Sequence, residues 1–570
     1  SLIYKGAIED NIGDYANTLL KNNEVNSEKE SSKSVASSSS ASSLSSSKSG
    51  VLSSSSLDSK IEPLNNGVDI KASGNQEAFF KVSESVSISL YFSNQALYDL
   101  SNYGGNQSLY NHKYDDVYFP ANFACKIGSN EYFYNDVGVR MKGATSRRTF
   151  ADSKGNITNT VHLKVSFKCT FDDELYDLPL FSKYKHEWNA DSKESRKDRK
   201  FFGMDKIDFK YVPRNDVQLQ LNRQFFNYKS YNQELYSYDV FNSNGIAAPY
   251  ARWINLNLNS QKVTKSYKYE AVECIDKKFL KRAFNDNKGD LYKCTQVLSP
   301  STERTNQWGG AFDNVGTTNS ATYANFFLDN AVTSSFDDNG YANGVRRPAG
   351  SIGVEDNYNG YHPLYCLKTN DDLGDESDFS KMVNFINVLY SLRYKNAPYS
   401  MLDSVLDVDQ FLKFAGISYV LGNYDDMRNN GNNFYVYFRK SDNKAVFIPY
   451  DYDYSLGLTR SEQNYNIMTT SGMFTTTISH NKTNKNNLYY DTILTNNSLS
   501  YSDTGEITQK GLQSAYKGYI KQTVTNGALT YSNYVTFVDG LTDSQTSQSA
   551  EKELVEKYMR AKKATIDAVA

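Results

Sequence analysis

The sequence lacks the features that would place it in several large protein classes. No stretch approaches the roughly 18 uninterrupted apolar residues that a transmembrane helix needs. The net charge is only −3 over 570 residues, which argues against a general nucleic-acid-binding surface. Five cysteines are too few for a disulfide framework, and both two bridges with one thiol left over and several free thiols stay open.

Common catalytic motifs are also missing. The chain has no GxxxxGK[ST] phosphate loop, no GxGxxG fingerprint, no HExxH zinc motif and no GxSxG nucleophile turn. It contains five histidines, and no two of them are spaced for a shared metal site. We therefore expect any active site to be built from carboxylates, amides and lysines.

The N-terminal part of the chain is low in complexity. Residues 31–56 are serine at 17 of 26 positions, so they offer little apolar surface to offset the entropy cost of ordering. We predict that residues 1–60 contain a disordered linker, or a glycosylated stalk, that would tether the rest of the chain. The sequence has four glycosylation sequons, which favour a secreted or cell-surface protein; they begin at Asn106, Asn156, Asn481 and Asn496.

Residues 61–570 have the mixed periodicity of an α+β protein. A strict alternation of apolar and polar residues predicts a strand over 161–171. The segment 296–360 is rich in Gly, Asn, Asp, Ser and Thr, and its length indicates an insertion or a functional loop. Stripes of apolar residues predict helices over about 222–244, 407–421 and 551–570.

The densest group of polar residues follows the second of these helices. A loop carries Asp425, Asp426 and Asn433, and a predicted hairpin then returns the chain to Asp451 and Asp453. Carboxylate and amide oxygens suit Mg²⁺ or Mn²⁺. Phosphoryl transfer needs such a metal and a carboxylate that orients the attacking hydroxyl. A polar surface loop beside a structural turn would give the same pattern, so the residues alone leave both interpretations open.

A family resemblance favours the catalytic interpretation. The run GNYDDMRNNGNNFYVY, followed by AVFIPYDYDYSLG, resembles the hallmark of the spore coat protein H (CotH) kinase family. Earlier segments are similar in the same order, among them VGVRMKGATSRR, HLKVSF, NQELYSYDVFNSNGIAAPYARWINL and YCLKTND. The resemblance extends over scattered blocks from about residue 85 to residue 460.

This resemblance implies an atypical protein-kinase-like, two-lobed α+β domain. Such an enzyme transfers the γ-phosphate of ATP to Ser or Thr of a protein substrate, with Mg²⁺ or Mn²⁺, in a secretory or surface setting. By position, the resemblance implies Asp425 or Asp426 as the catalytic base. It implies Asn433 and Asp451 as metal ligands, with Asp453 nearby, and places Lys164 at the nucleotide phosphates, paired with Glu234. A turn that contains Lys142, Gly143 and Ser146 would cover these phosphates.

Two other functions remain open at this point. An apolar strand that ends in Asp-x-Asp, as at Asp451 and Asp453, is also how many glycosyltransferases hold Mn²⁺ at a nucleotide sugar. A non-catalytic surface adhesion or recognition protein on the same scaffold is the second alternative, because a fold does not guarantee an activity.

Overall fold

The structure is a computed structural model of the chain. It describes residues 61–105, 117–143, 147–211, 232–294, 341–342, 345–346, 365–370, 380–394, 397–423, 425–430, 432–458, 465–466, 468–469, 493, 509–542 and 549–569. The predicted Ser-rich linker and most of the predicted insertion at 296–360 lie outside the described residues.

Seven strands close into a barrel, which the sequence did not predict. The strands are β1 (Val86–Tyr91), β2 (Phe119–Ile127), β3 (Asn130–Met141), β4 (Leu163–Ser166), β5 (Lys206–Tyr211), β6 (Ala251–Asn259) and β7 (Thr264–Glu273). Their order around the barrel is β1-β2-β3-β4-β5-β7-β6. All neighbours are antiparallel except β1 and β6, which close the barrel in parallel.

Of the predicted strand over 161–171, only Leu163–Ser166 form a strand, which is β4. Leu163 and Val165 enter the barrel core, as the alternation predicts. The strand ends at Ser166 because the chain then turns away from the sheet. The carbonyl of Cys169 accepts a hydrogen bond from the Arg196 guanidinium instead of a neighbouring strand.

Alternation in β5 and β7 sends charged residues to the outer face of the barrel. Ile207 and Phe209 of β5 join the barrel core together with Tyr269 and Ala271 of β7. The intervening side chains must point the other way. The cross-strand register sets Lys164 opposite Asp208 and Lys210 opposite Glu270, which places four charged residues in one patch.

A second sheet contains the predicted hairpin. The strands β12 (Phe434–Phe438) and β13 (Ala445–Pro449) pair antiparallel, which confirms that part of the prediction. The other strands of this sheet are β8 (Asp290–Cys294), β9 (Tyr341–Ala342), β10 (Val345–Arg346) and β11 (Tyr365–Leu367). The strand order in the sheet is β13-β12-β8-β11-β10-β9.

The first two helices pack against the barrel, whereas most of the later helices pack against the second sheet or against one another. The structure gives α1 (Gln76–Phe80), α2 (Asn94–Gly105), α3 (Ala190–Lys197), α4 (Gln233–Ser243), α5 (Lys277–Phe284), α6 (Ser380–Tyr394), α7 (Val408–Leu421), α8 (Met427–Asn430), α9 (Gln509–Thr525), α10 (Tyr531–Gly540) and α11 (Ser549–Val569). Within the described ranges, none of them is both long and apolar enough to span a membrane.

Three of these helices correspond to the helices predicted from the sequence. The predicted start of α4, at 222–231, lies outside the described residues, and its described part ends at Ser243 as expected. Helix α7 begins after Asp407, whose side chain caps the backbone N–H of Gln410, and it ends at Gly422 in the left-handed region. Helix α11 contributes Val555 and Tyr558 to the apolar core between the second sheet and its helices. The mixed α+β class is therefore confirmed.

Candidate functional site

Four residues from three separate parts of the fold are joined in a ring of hydrogen bonds, here called the Lys210 ring. The Lys210 ammonium donates to Glu234 and, over 2.5 Å, to Asp451 Oδ1. The Tyr238 hydroxyl donates to Glu234 Oε1 over 2.6 Å and accepts the backbone N–H of Asp451 over 3.0 Å. Asp451 is thereby held through both its side chain and its backbone.

Local structure explains how these residues meet. Lys210 lies near the end of β5 on the outer face of the barrel. Glu234 and Tyr238 are four residues apart on α4, so they lie on the same side of that helix. Asp451 lies two residues after Pro449, where β13 ends. The ring therefore joins the barrel, helix α4 and the second sheet at one point.

Carboxyl groups outnumber the one ammonium group in and around the Lys210 ring. Burial opposes the charged form of Lys210, but Asp451 and Glu234 outweigh it and raise the lysine pKa well above its ordinary value. Glu270 is 1% exposed, and within the described residues its Oε1 makes no hydrogen bond. Burial, followed by the charge on Glu234, raises the pKa of Glu270 well above its usual range. Asp453, also buried, contributes to these shifts.

The polar loop after α7 is tied to this ring by Asn423. Its side-chain amide donates to the carbonyl of Asp451 over 3.1 Å, and its Oδ1 accepts the backbone N–H of Asp425 over 3.0 Å. Asp425 Oδ2 accepts from the amides of Asn432 and Asn433, each over 3.1 Å. The structure thus brings together the two Asp-containing segments whose proximity the sequence predicted.

Asp425 and Asp426 lie in different environments. Asp425 is partly exposed, whereas Asp426 is fully buried. Asp426 Oδ2 accepts from the Ser418 hydroxyl over 2.6 Å, and Ser418 in turn contacts the Tyr452 hydroxyl over 2.9 Å. A catalytic base must reach its substrate. The geometry therefore favours Asp425 for that role and gives Asp426 a supporting place beneath the loop.

Two of the predicted metal ligands have an unusual backbone conformation. Asp451 has φ 59° and Asn433 has φ 58°, in the left-handed region that asparagine and aspartate tolerate better than most residues. Such conformations cost free energy and are concentrated at functional sites. Both residues are therefore held in place by their surroundings rather than by local preference.

A second group of charges lies beside the ring and is here called the Asp208 cluster. Asp208 forms ion pairs with Lys142, over 2.8 Å, and with Lys164, over 3.0 Å. Lys142 also lies over the ring of Tyr450, 5.0 Å from its centroid. Burial alone would raise the pKa of Asp208, but Lys142 and Lys164 hold it well below the usual aspartate range.

The structure changes one predicted pairing. Glu234 contacts Lys210, not Lys164, because the register places Lys164 opposite Asp208 and closer to β3. Lys164 instead binds Asp208 and lies 3.4 Å from Cys274 Sγ. Of the predicted covering turn, Lys142 and Gly143 are described and Gly143 has φ 87°, whereas Ser146 lies outside the described residues.

Some residues of the site carried too little signal to be found from the sequence. Lys210 and Asp208 alternate with apolar residues in KIDFKY just as Lys164 does in HLKVSF, so the same pattern marks two strands. Only the sheet register distinguishes the lysine that meets α4. Tyr238 lies within the helix predicted over about 222–244, and the pattern of that helix gives no sign that its hydroxyl contacts Glu234 and Asp451.

The donor atoms present would suit a cation bound with a nucleotide. In the described part of the chain, no three His, Cys, Asp or Glu side chains already form a metal cage. Asp451 is partly exposed, with 28% of its side chain accessible. Asn433 uses its amide nitrogen toward Asp425, which leaves its carbonyl oxygen as the possible ligand atom. A cation held by one or two protein groups plus phosphate oxygens fits this donor set.

The four cysteines whose state is described are free thiols, namely Cys125, Cys169, Cys274 and Cys294. Burial raises the pKa of Cys274 to about 12, so the thiol beside Lys164 stays protonated near neutral pH. The site therefore does not offer a thiolate nucleophile at Cys274.

Comparison of the sequence with protein families gives a match. The family described as CotH kinase protein matches residues 154–543, which is more than half of the 570-residue chain. The match includes the whole Lys210 ring and the loop after α7, whereas Lys142 and Gly143 precede it. A comparison with curated proteins finds no match.

Proposed function

Because the chain belongs to the CotH kinase family, we propose that it is a metal-dependent protein kinase that transfers the γ-phosphate of ATP to Ser or Thr side chains. The Lys210 ring is the observation that carries this proposal. A lysine held by a helix glutamate, next to an aspartate that follows a buried strand, is the arrangement that protein kinases use around ATP and Mg²⁺. The barrel with α4 and the second sheet with α7 would be the two lobes.

The proposal gives each residue a separate role. Lys210 would contact nucleotide phosphates and be oriented by Glu234. Asp451 and Asn433, with Asp453 nearby, would hold Mg²⁺ or Mn²⁺, which neutralises phosphate charge. Asp425 would accept the proton of the attacking Ser or Thr hydroxyl. The predicted role of Lys142 and Lys164 at the phosphates is supported by the excess positive charge of the Asp208 cluster.

The test is radiolabel transfer from ATP to a generic protein acceptor with Mg²⁺ or Mn²⁺. We expect the full chain to incorporate label, and we expect Asp451→Ala to reduce the rate by about 10²-fold or more, as for the removal of a group that stabilises transition-state charge. Asp442→Ala is the matched control. Asp442 lies in the turn of the same β-hairpin, where it pairs with Arg439, so its loss should leave transfer unchanged.

Substituting the donor distinguishes this function from the glycosyltransferase alternative. A panel of nucleotide sugars with Mn²⁺ should show no transfer and no competition with ATP. Transfer from a nucleotide sugar, abolished by Asp451→Ala, would replace the kinase proposal. Failure to bind any nucleotide in the presence of metal would support a non-catalytic scaffold.

We also propose that the enzyme acts in a secretory or surface setting, on the basis of the sequons and the Ser-rich segment. Expression in a glycosylating secretory host should give a product whose mobility on a gel changes after endoglycosidase treatment. A secreted product without any glycan would count against this setting.

A further inference from the structure

Tyr558 of the C-terminal helix α11 lies against both Asp-containing segments of the site, residues 422–433 and residues 450–457. Its side chain is fully buried. Its hydroxyl donates to the carbonyl of Val420, in the last turn of α7, over 2.9 Å. The last four carbonyls of a helix have no partner inside that helix. Tyr558 therefore bonds one of the carbonyls that α7 leaves open where the first Asp-containing segment begins.

The same side chain fills the space beside two glycines. Gly422, with φ 61°, ends α7 and begins the first segment. Gly457, with φ 91°, closes the turn that follows Asp453 in the second segment. A Cβ atom at Gly422 would overlap the Tyr558 hydroxyl, and a Cβ atom at Gly457 would lie 2.9 Å from Tyr558 Cβ. One side chain of α11 thus contacts the start of one segment and the end of the other.

The two segments also meet each other at this position. The backbone N–H of Leu456 donates to the carbonyl of Leu421 over 2.9 Å, so the second segment bonds another open carbonyl of α7. Leu456 has φ 53°, a left-handed conformation that costs free energy for a bulky residue. The contact between the segments is therefore not a local preference of the chain, and it depends on packing from outside.

Helix α11 is itself fixed against this part of the fold. Lys562 lies one turn after Tyr558, on the same side of the helix, and is fully buried. Its Nζ lies over the ring of Tyr419 on α7, 3.4 Å from the centroid, and donates to the carbonyl of Met468 over 2.7 Å. The residues that match the CotH kinase family end at 543, before α11 begins. The family match therefore assigns no role to this helix.

We propose that Tyr558 is a positioning residue that holds the two Asp-containing segments together. Its contact with both of them keeps Asp425 and Asn433 on one segment close to Asp451 and Asp453 on the other. That these groups bind a metal rests on the proposed kinase function. The hold of Tyr558 on the two segments does not.

The hold should strengthen the binding of a divalent cation. A cation that takes ligands from both segments binds only when they are together, so its apparent affinity falls with the fraction of molecules in which they are apart. Tyr558→Phe keeps the ring and loses the bond to Val420. Tyr558→Leu also loses most of the contact with Gly422 and Gly457, so its effects should be larger.

The first experiment measures the hold without using activity. Hydrogen exchange in the full chain is followed by mass spectrometry in peptides from residues 418–433 and 450–458. Tyr558→Phe should speed exchange in both peptides by about 3–10-fold, the factor that corresponds to the loss of one buried hydrogen bond. Tyr558→Leu should speed it further. If Tyr558→Leu does not fold, Tyr558→Phe decides alone.

Tyr134→Phe is the matched control. Tyr134 is equally buried, and its hydroxyl donates to the carbonyl of Lys200 over 2.7 Å, but it lies in the barrel core. Its variant should speed exchange in the barrel and leave the two peptides as in wild type. Unchanged exchange in these peptides in the Tyr558 variants would overturn the proposal. Equal acceleration in Tyr134→Phe would overturn it as well, because the effect would then be global.

The second experiment measures phosphoryl transfer against Mg²⁺ concentration at saturating ATP. The apparent KM for Mg²⁺ should rise by about 3-fold or more in Tyr558→Leu and by less in Tyr558→Phe, while kcat at saturating Mg²⁺ stays within about twofold of wild type. A purely structural role would lower the fraction of active molecules, and hence kcat, without changing that KM.

The outcomes separate the two proposals. Faster exchange with an unchanged KM for Mg²⁺ would disprove the link between Tyr558 and the metal site. If the wild type transfers no phosphate but exchange in the two peptides responds as expected, the kinase proposal fails and the hold of Tyr558 on the two segments stands.

Discussion

The Lys210 ring and the Asp208 cluster are neighbours with opposite charge imbalances. Asp208 and Lys210 are two residues apart on the same face of β5. The cluster sets two lysines against one carboxylate. The ring sets one lysine against two carboxylates, with Glu270 opposite on β7. The first imbalance suits a phosphate group and the second suits a cation, so a metal–nucleotide complex fits the boundary between them.

The comparison also shows that burial does not decide a carboxyl pKa by itself. Asp208 and Glu270 are 2% and 1% exposed. The pKa of Asp208 is lowered because two lysines flank it. The pKa of Glu270 is raised because burial and the charge on Glu234 prevail over Lys210, whose ammonium already binds two carboxylates.

The largest effect should follow from Lys210→Met. It removes the cation and leaves Glu234 buried as a carboxylate without its ammonium partner, which typically costs about 3–5 kcal/mol. Urea unfolding at pH 7 should show a loss of this size. A loss below about 1 kcal/mol would mean that the ring does not hold the barrel, α4 and the second sheet together.

Asp208→Asn should have the next largest effect. It leaves Lys142 and Lys164 close together without the shared anion, and charged hydrogen bonds are worth about 1.5–3 kcal/mol. We expect a destabilisation of about 2–3 kcal/mol in the same unfolding assay. Addition of phosphate should recover part of it, because an anion would then occupy the space between the lysines. Equal recovery in the wild type would show that the phosphate acts elsewhere.

Glu270→Gln tests the excess of carboxyl groups at the Lys210 ring through the pH dependence of the free energy of unfolding. A raised folded-state pKa means that the native protein retains a proton that the unfolded chain has lost, so this group makes stability fall as the pH rises above the unfolded value. Glutamine removes that dependence. The variant should gain stability relative to wild type between pH 5 and pH 8, by about 1.4 kcal/mol for each pH unit over which Glu270 stays protonated, measured by urea unfolding at both values. A constant difference would contradict a protonated Glu270.

Lys164→Met should have the smallest effect on stability. Asp208 keeps Lys142 as a partner, and the methionine side chain fills a similar volume, so the free energy of unfolding should stay within about 1 kcal/mol of wild type. The informative quantity is the difference between the losses in unfolding free energy that Lys164→Met and Lys210→Met cause. Comparable losses in the two variants would mean that the two lysines are equivalent, against the geometry described above.

Sequence reasoning predicted the local parts of the site because their signals are local. The apolar run 445–449 that ends before Asp451, the capped helix that begins after Asp407, and the hairpin between β12 and β13 each follow from patterns of a few residues. The family resemblance pointed to Glu234 but paired it with Lys164, whereas the structure pairs it with Lys210. A lysine partner on another strand depends on sheet register, which spacing along the chain does not reveal.

The sequence by itself determined the α+β class, the elements that deliver Asp425, Asn433 and Asp451, and the resemblance to the CotH kinase family, because each of these depends on short-range order. Only the tertiary structure decided that the strands close into a barrel, that Lys210 rather than Lys164 meets Glu234, and that Tyr558 contacts both Asp-containing segments. These contacts join residues that are far apart in the chain, and they are fixed by packing and register rather than by any local preference.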